Sequence, residues 1–258
     1  MRLSTRVHSP RFASALAFAA LGIAGIAQAY TLTNSRWNTS TVSYYINPVN
    51  SDVSQAAAIA ALHAGAQAWR SQTSANIELV YAGASTATQN SMNNRNEVFF
   101  SNDNGGGALA VTYTVYDSSG NTLDTDIEFF DGDWQFFTGS SGCTGGFYIE
   151  DVAAHEFGHA LGLGHSSVSD ATMAPSIPSC LSTRRDLHPD DITGLQTKYP
   201  SRCDIDGNGV TVTDVQRSVN QAIGLASCTA DINTDGRCDV LDVQRVVNAA
   251  LGGGCNTQ

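Results

Sequence analysis

Three histidines and a glutamate crowd one short stretch of this chain. It reads His155-Glu156-Phe157-Gly158-His159-Ala160-Leu161-Gly162-Leu163-Gly164-His165. On a helix, residues four apart share a face, so His155 and His159 can point at one ion, and Glu156 lies one step round, within reach of a water there. Gly162 can take the positive φ that ends a helix and turns the chain back, which lets His165 approach as a third ligand. Three imidazoles leave the fourth position of a tetrahedral zinc open, which marks a catalytic site rather than a structural one. Such an ion lowers the pKa of a water to about 7 and polarises a carbonyl. Glu156 would take the proton from that water and hand it to a leaving amine. The expected chemistry is hydrolysis of a protein or peptide substrate with one zinc ion as cofactor.

Other elements must hold this stretch in place. Residues 147–161 read as the metal-bearing helix. An earlier helix is expected over 53–71, with Ile59, Leu62, Ala66 and Trp69 on one stripe. Strands are expected at 41–46, 76–81, 97–101, 109–116 and 125–130, all rich in β-branched and aromatic residues. A last helix is expected over 189–199, with Pro189 near its start. This order implies an α/β fold, a twisted and mostly parallel sheet backed by helices.

Residues 1–29 read as a secretory signal. Arg2, Arg6 and Arg11 form its charged region, 12–27 its apolar core, and Ala27-Gln28-Ala29 an A-x-A cleavage site. The protein is therefore expected to be secreted, with Tyr30 as its first mature residue. Removing three arginines and no acids takes the formal charge from −11 to −14. That acidity argues against nucleic acid or an anionic membrane as a partner. Six cysteines in a secreted chain suggest three disulfides.

After Pro200 the composition changes, and residues 201–258 carry a duplicated acidic unit. Asp204, Asp206 and Asn208 in one copy, and Asp231, Asn233 and Asp235 in the other, stand at positions one, three and five before a glycine. Oxygen ligands at this spacing are the recipe for a calcium loop. Asp242 falls at position twelve of the second loop and Asp214 at position eleven of the first, so one or two calcium ions are expected.

Residues 30–200 resemble the matrixins, the matrix-metalloprotease branch of the metzincins. Besides the histidine motif, the resemblance rests on Ala171-Thr172-Met173-Ala174-Pro175, on Leu187-His188-Pro189-Asp190-Asp191-Ile192, and on Gly106-Gly107-Ala108-Leu109-Ala110. It implies a metzincin fold in which Met173 forms an apolar floor beneath the zinc. Leu109 and Ala110 would then belong to an edge strand that holds substrate by main-chain hydrogen bonds. Pro175 and Ile177 would lie in the wall of the pocket for the residue after the scissile bond. Where the family has histidine ligands for a second, structural zinc, this chain has Val111-Thr112-Tyr113, and Asp117 and Asp124 have no histidine partners; one zinc is expected.

Residues 201–258 resemble a dockerin, a small all-α calcium-binding module. That resemblance places the end of the first helix beside the start of the second. It implies Cys228–Cys238 and Cys203–Cys255 disulfides, leaving Cys143–Cys180 to brace the catalytic domain. Dockerins bind cohesins through loop positions ten and eleven, which here hold Thr213 and Asp214, and Val240 and Leu241. A cohesin-like or surface partner and a simple calcium-stabilised tether both stay open. The main reading is a secreted zinc endopeptidase. Its rival is an adhesion or assembly protein whose tail is the functional part and whose zinc domain cleaves little.

Overall fold

The computed structural model describes residues 28–233, 235–251 and 253–255. The expected signal segment lies outside the described residues as far as residue 27. Five strands form the main sheet: β1 (Thr41–Ile46), β2 (Glu78–Ala84), β3 (Asn96–Ser101), β4 (Ala110–Tyr116) and β5 (Thr122–Phe130). Their order is β2-β1-β3-β5-β4. The first four run parallel and β4 pairs antiparallel with β5, which leaves β4 at one edge. The sheet is thus mixed and mostly parallel. Helix α1 (Gln55–Ser71) makes the crossover from β1 to β2. It starts after Ser54, whose side chain caps the Ala57 N–H.

Two differences from the expected strands have physical causes. Strand β5 begins at Thr122, ahead of residue 125, although Asp124 and Asp126 interrupt the apolar pattern. Both carboxylates are buried, and they accept N–H bonds from Ser91, Asn93, Asn94 and Glu97, so they fasten the 91–97 segment to the sheet. Burial pushes the Asp126 carboxyl up to about 6. A second sheet of two residues per strand, β6 (Phe136–Phe137) and β7 (Phe147–Tyr148), is too short for alternation to reveal.

Helix α2 (Ile149–Ala160) continues directly from β7 and carries Glu150 and Asp151 in its first turn, where the helix dipole favours acids. It packs against α1 with unusual intimacy. Gly65 of α1 has no room for a side chain: a Cβ there would lie 2.6 Å from Ala153 Cβ and 2.9 Å from the Glu150 carbonyl. Trp69, one turn on, is fully buried and donates from Nε1 to the Ala154 carbonyl at 2.8 Å. From the other side, Trp37 Nε1 donates to the Ala160 carbonyl at 2.9 Å, satisfying a group that the helix end leaves unpaired. Helix α3 (Pro189–Lys198) starts with a capping box between His188 and Asp191.

Helices α4 (Val212–Ala222) and α5 (Val240–Ala250) pack on each other around a separate apolar cluster of Cys203, Ala230, Ile232, Val246 and Ala249. Disulfides join Cys203 to Cys255 and Cys228 to Cys238 beside it, and Cys143 to Cys180 in the larger body. These are the pairs that the dockerin resemblance implies.

The contact at Gly65 gives a direct test of this packing. Gly65→Ala must push α1 away from α2, and overpacking of this kind costs about 1–3 kcal/mol. Thermal or denaturant unfolding should show a clear loss of stability. A variant as stable as the parent would mean that the two helices are not in such close contact.

Candidate metal centre and cleft

The metal motif straddles the end of α2. One side of the helix, with Val152, Ala153, Ala154 and Phe157, is buried in the core. Gly162 adopts φ +87°, which stops the helix and reverses the chain. A Cβ at Gly162 would also lie 2.7 Å from the Ser35 carbonyl. The reversal brings His165 back to the helix, and the three imidazoles converge. Their ligand atoms lie within 4.8 Å of one another. The ring centroids are 4.6, 5.0 and 5.3 Å apart.

Two backbone carbonyls orient the rings. His155 Nδ1 donates to the Thr172 carbonyl and His159 Nδ1 to the Leu163 carbonyl, both at 2.8 Å. That fixes the tautomer and leaves each Nε2 as a lone-pair donor toward the centre. Burial lowers the His155 pKa to about 4 and lowers that of His159 as well, which keeps both in the neutral, ligating form. Three imidazoles at this spacing fit one small cation that favours nitrogen, as zinc does.

Glu156 is buried beside them. Burial pushes its carboxyl up, opposed by His159 and by a hydrogen bond from Thr112. Thr112 Oγ1 donates to Glu156 Oε2 at 2.7 Å. Met173 is fully buried and packs against α2 at Gly158. A side chain at Gly158 would collide with its Sδ, so the glycine inside the histidine motif is what lets this methionine approach. The Met173 segment is held by Asp191 of α3, which accepts from the N–H groups of Thr172 at 2.8 Å and Met173 at 3.0 Å.

The histidines open into a cavity of about 620 Å³ that Leu109, Ala110, Thr112, Pro175 and Ile177 also line. Strand β4 forms its upper side. The Leu109 carbonyl accepts from Phe130 N–H at 3.1 Å and so belongs to the sheet. By the alternation of an antiparallel ladder, the N–H and C=O of Ala110 then point outward from the open edge. Of the two residues expected to hold substrate by main-chain bonds, Ala110 presents its groups and Leu109 has its carbonyl engaged.

The remaining expected residues fall elsewhere. Asp117 closes a turn, accepting from Ser119, Asn121 and the Asn121 amide, and Asp124 has the role in the sheet described above. In the tail, carboxylate oxygens of Asp204, Asp206 and Asp214 come within 4.8 Å of one another. Asp214 and Asp242 do the same work in their two copies. Asp214 accepts from the N–H groups of Ile205, Asp206 and Thr211, and Asp242 from those of Ile232, Asn233 and Asp239. Asn233 lies beside Asp235, its amide donating at 2.9 Å, and Asp231 accepts from the Asp235 and Gly236 N–H groups. The Asn208 N–H turns inward to Asp204 and Asp206.

Thr112 and Arg184 are among the cleft residues that the sequence reading did not single out. Strand alternation puts Thr112 on the same face as Ala110, which was a usable signal. Arg184 also lines the cavity, although no local pattern marks it.

Comparison with known proteins agrees with this geometry. The pattern of the family described as Matrixin matches residues 36–200. The chain is 31% identical to human Matrix metalloproteinase-19 over 164 residues, covering 64% of this chain and 30% of that protein. It is 29% identical to human Matrix metalloproteinase-20 over 167 residues, covering 65% of this chain and 33% of that one. A shorter match, 51% over 61 residues, is to Metalloendoproteinase 5-MMP of Arabidopsis thaliana, covering 24% of this chain and 17% of that protein. The chain thus spans a third or less of the length of these curated relatives. On the family match over most of its sheet, its metal helix and its Met173 segment, the chain belongs to the matrixins.

Proposed function

We propose that this chain is a secreted zinc endopeptidase with a calcium-binding tail. The observation that carries the reading is the convergence of His155, His159 and His165, with Nδ1 of the first two tied to backbone carbonyls and Glu156 beside them in an open cleft. A zinc ion held by the three histidines would supply Lewis acidity, polarising the scissile carbonyl and making a water acidic enough to deprotonate near neutral pH.

The protein's own groups do the rest. The outward N–H and C=O of Ala110 bind an extended peptide along the edge of β4. Glu156 accepts the proton of the attacking water and delivers it to the departing amine. Thr112 holds that carboxylate in one orientation through its 2.7 Å bond. Met173 gives the histidines an apolar floor. The tail supports a second reading of its own, a dockerin-like module. Two loops with matching Asp214 and Asp242 networks would each hold calcium, and the tail would act as a rigid tether.

The decisive experiment measures zinc content and cleavage of a denatured protein such as casein on the same preparations. The parent should hold one zinc per chain and lose its activity on chelation. Glu156→Ala should keep the zinc and lose about 10²–10⁴-fold in kcat, the usual contribution of a general base. A parent that holds zinc and cleaves nothing would return the balance to the adhesion reading.

Thr112 should show its role by graded substitution. Thr112→Val is expected to lower kcat by about ten-fold, one lost hydrogen bond to a charged group, with KM little changed. Thr112→Ser should recover most of it. Equal activity of the valine and serine variants would remove the hydroxyl from the mechanism.

For the tail, saturating calcium should raise the unfolding midpoint of the full chain, since a ligand at a hundred times its Kd adds about 2.7 kcal/mol. Asp206→Ala with Asp235→Ala should abolish most of that rise. An undiminished rise in the double variant would locate the calcium elsewhere.

A further inference from the structure

One wall of the cleft is a segment with little to hold it. Pro175, Ser176 and Ile177 line the cavity. Yet no residue from 175 to 183 is buried, whereas Ala174 before them and Arg184 after them both are. Such a stretch gains no fixed position from apolar packing of its own. Pro175 and Pro178 each lock φ, which stiffens the span but does not set where it lies. Its place is set by what its two ends are fastened to. One end is Ala174, next to Met173 in the segment that Asp191 holds.

The far end is Cys180, and several bonds converge on it. Its sulfur is joined to Cys143, its N–H donates to the Gly146 carbonyl at 2.9 Å, and the Gly145 N–H donates to its Sγ at 3.2 Å. Ser179 Oγ donates to the same Gly146 carbonyl at 3.1 Å. Cys180 takes φ +58°, a conformation that a residue with a side chain holds only when its surroundings impose it. Gly146 is a firm anchor: it is buried, and a Cβ there would collide with the Gln135 carbonyl. Phe147, next in the chain, lines the cavity and packs edge-on against Trp134, with 5.5 Å between ring centroids. Trp134 lines the cavity too, and its Nε1 donates to the Ala108 carbonyl at 2.9 Å, at the entry to β4. One run of contacts therefore joins the two sides of the cleft, from Ala108 through Trp134, Phe147 and Gly146 to Cys180. Hydrogen bonds carry it across to the wall, and the disulfide to Cys143 makes the crossing covalent.

We propose that the Cys143–Cys180 disulfide is a specificity determinant of this cleft. It holds the 175–179 wall at one distance from the 146–147 segment, so that the cleft discriminates among the side chains that meet Pro175 and Ile177. This inference rests on the peptidase reading above. The two cysteines have a positioning role, acting through the wall and not on the reacting atoms. A wall fixed in advance does not have to be ordered by the substrate, and a wall of one shape rejects side chains that a yielding wall accommodates. Without the bridge, substrate must order the wall on binding, which costs affinity and blurs discrimination. Glu156 and the histidines keep their places, because α2, α3 and the turn at Gly162 hold them.

The test replaces both cysteines, Cys143→Ser with Cys180→Ser, in the full-length zinc-loaded protein. The peptides differ only in the residue after the scissile bond, which is alanine, leucine or tryptophan. KM for the parent's best peptide should rise about ten-fold with kcat within about three-fold, and the spread of kcat/KM among the three peptides should shrink. A second readout does not use the protein's own activity. With Glu156→Ala added to both proteins, an external protease should nick the one without the bridge within residues 175–183 about ten-fold faster. An unchanged KM and spread overturn the inference, whether or not nicking quickens, and leave the peptidase reading intact. Changed kinetics without faster nicking overturn it as well, because the wall would not have loosened. So does a fall in kcat alone with zinc retained, since the bridge would then act on the centre. If the double variant loses its zinc, Pro178→Gly decides. It keeps the bridge and loosens the span, so the same rise in KM and narrowing of the spread are expected, and a parental profile overturns the inference. A parent that cleaves no peptide and no casein overturns this inference and the peptidase reading together.

Discussion

The convergence of the three histidines depends on two backbone carbonyls. An imidazole on a helix surface can rotate about its side-chain bonds, and three such rings do not converge by themselves. The Thr172 and Leu163 carbonyls each capture one Nδ1–H at 2.8 Å, so the opposite nitrogens face a common point. Leu163 can do this only because Gly162 reverses the chain. Thr172 can do it only because Asp191 holds the backbone of residues 172 and 173 against the helix. The three histidines therefore rest on α2, on its terminating turn and on α3 together. Loss of any one of these supports would loosen the rings while leaving all three histidines in place.

The same requirement explains the close packing around α2. A helix that carries two of the three histidines must not shift against its sheet by even an ångström if their convergence is to keep its geometry. Gly65 lets α1 lie directly on it, Trp69 donates to a carbonyl in its middle and Trp37 to one at its end, and Gly158 admits Met173. Small residues at these places and large ones around them make a tight fit with few alternatives. Cleft residues then inherit a fixed frame. Thr112 meets Glu156 from the edge strand, while Asp151 and Thr172 seat Arg184 in the opposite wall.

The tail solves a different problem. It is too small to bury a large core, and among the described residues its apolar cluster includes a few side chains around Val246 and Ile232. Two disulfides and the repeated Asp214 and Asp242 networks supply what the core does not. These carboxylates tie each acidic loop to the helix that follows it, so each loop is shaped by its own copy of the unit. Bound cations would add to an arrangement that hydrogen bonds already hold.

The sequence by itself determined which histidines and which glutamate stand together, and the class of fold. Those features are written in local spacing: four residues along one helix face, a glycine where the chain must turn, and alternation along strands. Even the capping of α3 by His188 and Asp191 is local. Only the tertiary structure decided which way the imidazoles face, that the strand runs back through Asp124 to Thr122, that Ala110 rather than Leu109 offers its whole main chain, and that Thr112 and Arg184 line the cleft. The Thr112–Glu156 bond joins residues 44 apart in sequence and the Asp151–Arg184 bond residues 33 apart. At such distances no periodicity links the partners. Which side chain meets which is set by how the sheet edge, the metal helix and the returning loop pack, and that packing is a property of the whole fold.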